Sequence, residues 1–131
     1  MLKQTAREVR TIGAPEPVGP YSQAVVLDGI VFLSGQIPLD PESGEMVGGE
    51  IEDQARRVLA NLRAVLEAAG SSMAQVLKTT VYLTDLSLFP RVNAVYAEHF
   101  GSDPAPARAT VEVSALPLGA GIEIDAIARV P

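Results

Sequence analysis

Hydrophobic and polar positions alternate with period two along two stretches late in the chain, 106–114 and 121–128, the pattern of half-buried strands. In the first, Ala109, Val111 and Val113 share a face, and Arg108, Thr110 and Glu112 share the other. In the second, Ile122, Ile124, Ala126 and Ala128 lie opposite Glu123 and Asp125. A simple hairpin through 116–120 would set Glu112 against Glu123, and facing like charges are unfavourable. Arg108 would then lie about four residues further along, roughly 13 Å from Glu123. Either the two strands are not neighbours, or the carboxylates do something other than pair locally. An arginine and a glutamate on strands ordinarily form a solvated ion pair of small consequence, and periodicity takes the matter no further.

The same reading orders the rest of the chain. Val25, Val26 and Leu27, then Asp28-Gly29, then Ile30 to Leu33 predict a hairpin, because Asp-Gly supplies the positive φ angles of a type I′ turn. Its second strand runs into Ser34-Gly35-Gln36-Ile37-Pro38, where Gly35 marks either a close backbone approach or a bend at a sheet end. Before the hairpin, residues 11–24 carry three prolines and two glycines, a loop of fixed shape that presents Tyr21, Ser22 and Gln23.

After a turn-rich connector at 40–49, Ile51, Ala55, Val58, Leu59, Leu62, Val65, Leu66 and Ala69 step by three and four and predict a helix over 50–69. Acids at 50, 52 and 53 suit its N-terminus and Gly70 its end, while Arg56, Arg57 and Arg63 read as a solvated side. Ser72 with Gln75 resembles a capping box for a short turn. A strand follows over Val76–Leu83. Ser87 is expected to cap a second helix reaching Phe100, with Pro90 in its first turn and Val92, Val95, Tyr96 and Phe100 inward. Asn93 falls off that stripe; His99, in the last turn, suits the helix dipole rather than catalysis. Residues 102–106 form a proline-containing linker.

The resulting order, strand-strand-helix-strand-helix-strand-strand, predicts one two-layer α+β domain spanning residues 1–131, with the helices on one sheet face. Several strands are apolar on both sides, so burial of the other face against further copies of the chain is expected.

Composition narrows the function. Apolar residues make up 47% and charged residues 20% of the 131, an ordinary globular balance. Sixteen acids against ten scattered bases give a formal charge of −6, which speaks against a nucleic-acid partner. There is no cysteine and one histidine, so thiol catalysis, disulfides and Cys- or His-cluster metal sites are excluded within one chain. No apolar run is long enough to span a membrane, and the opening ten residues lack the apolar core of a signal peptide; a cytoplasmic location is expected.

Five blocks carry a resemblance: Gly19-Pro20-Tyr21-Ser22-Gln23-Ala24, Ser34-Gly35-Gln36-Ile37-Pro38, Asn93-Ala94-Val95-Tyr96, Pro106-Ala107-Arg108, and Ile122-Glu123-Ile124-Asp125-Ala126-Ile127-Ala128. In this order they resemble the RidA (YjgF) family of enamine/imine deaminases, over nearly the whole chain. The resemblance implies a chorismate-mutase-like fold, with the last two strands separated in the sheet. It also implies a homotrimer with clefts at its subunit boundaries, and no metal or organic cofactor.

The implied activity is hydrolysis of 2-imino acids such as 2-iminobutanoate and 2-iminopropanoate to 2-oxo acids and ammonium. Arg108 is expected to grip the substrate carboxylate and Glu123 to activate water. Tyr21, Ser34, Gly35 and Asn93 are expected to line the site. Many members carry a cysteine two residues after the arginine; this chain has Thr110, whose hydroxyl or backbone is expected to line the pocket instead. Three other readings stand beside this one. They are a trimer that binds small carboxylates or acts as a chaperone-like partner without turnover, a ribonuclease, and a related deaminase or amide hydrolase in pyrimidine or aromatic catabolism.

Overall fold

Asp28 and Gly29 adopt φ of 51° and 74° in the computed structural model, and the type I′ turn they form joins β2 (Ala24–Leu27) to β3 (Ile30–Gln36). The structure describes residues 5–101 and 103–131. A short strand not anticipated from the sequence, β1 (Arg7–Val9), pairs with β2. Three residues are too few for a periodic signal to stand out.

The remaining elements are α1 (Ile51–Ala68), β4 (Val76–Leu83), α2 (Phe89–His99), β5 (Ala107–Glu112) and β6 (Ile122–Arg129). The strands form one mixed sheet in the order β1-β2-β3-β6-β4-β5, antiparallel except for the β4–β5 pair. The last two strands are therefore not neighbours: β4 lies between them, and Glu112 never faces Glu123. Of the 102–106 linker, Ser102 lies outside the described residues.

Both helices cover one face of the sheet. Val58, Leu59, Leu62, Val65 and Leu66 of α1 and Val92 and Val95 of α2 are buried against Val31, Leu33, Val81, Ile122, Ile124 and Ala128. Truncating one such leucine to alanine ordinarily costs about 2–5 kcal/mol, so this layer is a main source of the fold's stability.

One polar residue lies within the apolar stripe of α1. Asn61 is fully buried, and its amide donates to the carbonyls of Ile37 and Leu39 while its Oδ1 accepts from Arg57 Nε. Arg57 is thus a brace rather than a merely solvated charge.

Two expected caps are not made. Ser72 and Gln75 bound a short turn through a backbone hydrogen bond, with no side-chain cap. Leu88, not Ser87, precedes α2; Asp85 caps the preceding turn instead, accepting from the Ser87 amide. Aspartate begins that turn two residues before the serine, and its carboxylate reaches the free Ser87 amide.

The helix-free face of the sheet remains open. Leu27, Phe32 and Val111 are exposed there beside half-buried Val25 and Ile127. The apolar face expected for the 106–114 strand, Ala109 with Val111, is thus turned to the open side. Its polar face looks toward the helices, because β5 is an edge strand whose Thr110 pairs with buried Val81.

Candidate functional site

The seven residues singled out in the sequence fall into two groups on opposite faces of the sheet. Glu123 lies on the open face, level with Tyr82 of β4. Arg108 is level with Thr79, which is buried beneath the helices, so its side chain leaves the helix side of the edge strand. Within one chain the guanidinium and the carboxylate do not meet.

The first group lines a cavity of about 340 Å³ bounded by Pro17, Val18, Tyr21, Ser34, Gly35 and Glu123, with Ile37 and Pro117 closing its apolar side. Its walls have identifiable causes. Gln23 is buried; its Oε1 accepts from the Thr11 amide at 2.7 Å, and its Nε2 donates to the carbonyls of Thr11 and Pro15 at 3.0 Å. This single side chain ties the proline-rich loop to the sheet from inside. Asn61 holds the opposite wall through Ile37 and Leu39.

Tyr21 is half exposed at the rim, and its hydroxyl accepts from the Val18 amide. Ser34 lines the cavity, but its hydroxyl donates to the Ser22 carbonyl at 2.6 Å, so toward a ligand it is an acceptor only. Gly35 leaves room for the Glu123 side chain: a Cβ there would stand 2.7 Å from the Glu123 carboxyl carbon. The close backbone approach, rather than a simple bend, is what this glycine provides.

Burial, and after it the Asp125 carboxylate, pushes the Glu123 carboxyl above its ordinary range. A carboxyl so placed exchanges protons nearer neutral pH than a solvated one, which suits acid–base work.

The second group sits on the sheet edge beneath α2. The Arg108 guanidinium lies 4.7 Å from the centre of the Tyr96 ring and 5.1 Å from that of Phe89. It donates to Asn93 Oδ1 at 2.7 Å. Among the described residues it has no carboxylate partner. Stacking on two rings restricts the guanidinium plane and leaves most of its five N–H groups available to a planar anion.

Tyr96 is fixed in turn by a 2.7 Å hydrogen bond with Thr79. Thr110, two residues beyond Arg108 on the same face, has a buried hydroxyl oxygen with no hydrogen-bond partner among the described residues. His99 pairs through Nδ1 with the Val95 carbonyl, away from both groups.

Gln23, Asn61, Tyr96 and Phe89 were not assigned to the site from sequence. Asn61 had a signal, being an amide at a core position of α1; stacking partners across α2 and β5 had none.

Residues 11–130 match the family model described as endoribonuclease L-PSP. A RutC family protein of Pyrococcus horikoshii is 55% identical over 90% of this chain and 93% of its own. The human protein named 2-iminobutanoate/2-iminopropanoate deaminase is 46% identical over 93% of this chain and 88% of its own. The crystal structure of Escherichia coli TdcF with bound serine superposes with a TM-score of 0.88 at 42% identity, covering 94% of this chain and 98% of that one.

Proposed function

The chain belongs to the endoribonuclease L-PSP family, which includes the RidA deaminases, and from that premise we propose that it hydrolyses small 2-imino acids to 2-oxo acids and ammonium. One observation carries the proposal: the two halves of a chemically complete site lie on opposite faces of one chain. They become one site only if Arg108 and Asn93 of one protomer close over the Glu123 cavity of another. A closed ring of three copies, each lending its edge to the next, satisfies this and buries the open apolar face. The serine bound in Escherichia coli TdcF supports a ligand of this size with a carboxylate.

In the reaction Arg108 grips the substrate carboxylate in a forked, charge-assisted contact. Glu123 takes a proton from water as the oxygen bonds to the imine carbon and the C=N electron pair moves to nitrogen. The same proton passes to nitrogen. As the C–N bond breaks, Glu123 takes the hydroxyl proton and gives it to the departing ammonia. One iminium and one water become one 2-oxo acid and one ammonium.

Decay of 2-iminobutanoate released by a dehydratase tests this. The protein is expected to accelerate the decay over buffer, and Glu123→Gln to lower turnover about a hundredfold or more while 2-oxobutanoate still binds. No acceleration by the wild-type protein overturns the reading. RNA cleavage that an imino acid does not inhibit would favour the ribonuclease class instead.

A further inference from the structure

Beside Glu123 lies a second carboxylate for which that reaction has no use. Asp125 is two residues further along β6, so both side chains leave the open face, with Cα atoms about 7 Å apart. In register, Tyr82 is level with Glu123 and Thr80 with Asp125. The Tyr82 side chain nevertheless leans along the strand, and its hydroxyl donates to Asp125 Oδ2 at 3.0 Å. That bond fixes where the Asp125 carboxylate sits relative to Glu123. Burial, and then the bond to Asp125, pushes the phenol's own pKa above its ordinary value, so it remains a donor throughout the neutral range.

Resting on the hydrolase reading above, we propose that Tyr82 and Asp125 form a fixed phenol–carboxylate pair that positions a negative charge beside Glu123 and sets when Glu123 takes up and releases its proton. Glu123 must do both in one turnover, and a base that never lets go is as useless as an acid that never ionises.

The other groups around it are few. From β3 come Ser34 and Gly35, which carry no charge; from the loop come Tyr21 and Glu16 across the cavity. Lys78 of β4 is level with Ile127, further along the sheet. In the proposed assembly the neighbour's Arg108 favours the ionised form, and Asp125 opposes it. The balance keeps both states of Glu123 within reach. Asp125 and Tyr82 are positioning residues, since neither lines the cavity that Glu123 faces.

Titration of the Glu123 side-chain carboxyl by carbon-13 NMR, in the intact protein, tests the pair without relying on turnover. Asp125→Asn is expected to lower the Glu123 midpoint by about one pH unit, given one charge removed at this separation in a partly screened site. The acid limb of kcat should follow it. Tyr82→Phe, which leaves Asp125 in place but unanchored, is expected to lower it by less. An unchanged Glu123 midpoint in Asp125→Asn, or in Tyr82→Phe should the first variant not fold, overturns the inference even with normal turnover. Absence of turnover in the wild-type protein strikes the hydrolase reading instead, and the titration still decides whether the pair controls Glu123.

Discussion

Exchange of Arg108 for lysine is expected to lower kcat/KM for 2-iminobutanoate about a hundredfold or more, with little change in thermal stability. The charge survives the substitution, so any loss measures what charge alone does not supply. A guanidinium offers a planar fork that matches both oxygens of a carboxylate, and an ammonium offers a single strongly hydrated point. Arg108 also lies over the rings of Tyr96 and Phe89 and donates to Asn93, contacts that orient the plane before substrate arrives. Lysine keeps neither the stacking geometry nor the fork. Stability is spared because Arg108 has no ion pair among the described residues, so the exchange leaves no carboxylate of its own chain without a partner. Steady-state rates beside a melting curve check both halves, and undiminished turnover would remove Arg108 from the mechanism.

Gly35→Ala is expected to lower kcat about a hundredfold through a residue that does no chemistry. The added methyl would stand 2.7 Å from the Glu123 carboxyl carbon and 3.0 Å from its Cγ. Those distances are shorter than real carbon contacts, so the glutamate side chain has to swing away. Misplacing a catalytic group by about 1 Å is enough for a loss of that order. Gly35 does not have the positive φ found at Gly29 and Gly70, so alanine is not strained by its backbone. The effect therefore isolates displacement of Glu123. Rates measured with a structure of the variant test it: full activity, or an unmoved Glu123, would show that this approach is not what fixes the carboxylate.

Much of the architecture could be read from local chemistry. Asp28-Gly29 dictates its hairpin through backbone angles alone, and the stripe from Ile51 to Leu66 dictates α1 through its spacing. The strand over Val76–Leu83 forms, but its alternation holds only from Thr79 to Leu83: a bulge between Val76 and Lys78 leaves Leu77, expected inward with Thr79, Val81 and Leu83, exposed. What escaped was set by partners distant in sequence. β1 acquires its identity only by pairing with β2, and the faces of β5 are reversed because β4 sets its register. The start of α2 turned on which of two nearby polar residues, Asp85 or Ser87, reaches a free amide.

The site shows the same division. Arg108, Glu123, Tyr21 and Gly35 became candidates through a family resemblance. Their separation onto two faces was not, since alternation gives each strand two faces without saying which one meets the helices. Of the two residues that hold the cavity walls, Asn61 left a mark, an amide within the apolar stripe of α1, whereas Gln23 acts through loop carbonyls that no local pattern marks.

The central claim is that a working site needs two chains, and mixing two inactive variants tests it most directly. Arg108→Ala keeps the Glu123 cavity, and Glu123→Gln keeps the arginine edge. Unfolded together in equal amounts and reassembled, they are expected to recover about a quarter of the wild-type rate per protomer, because random neighbours supply both intact halves at one junction in four. Each variant reassembled alone stays inactive. A mixture no more active than either parent would contradict the shared site and return the arginine and the glutamate to separate tasks.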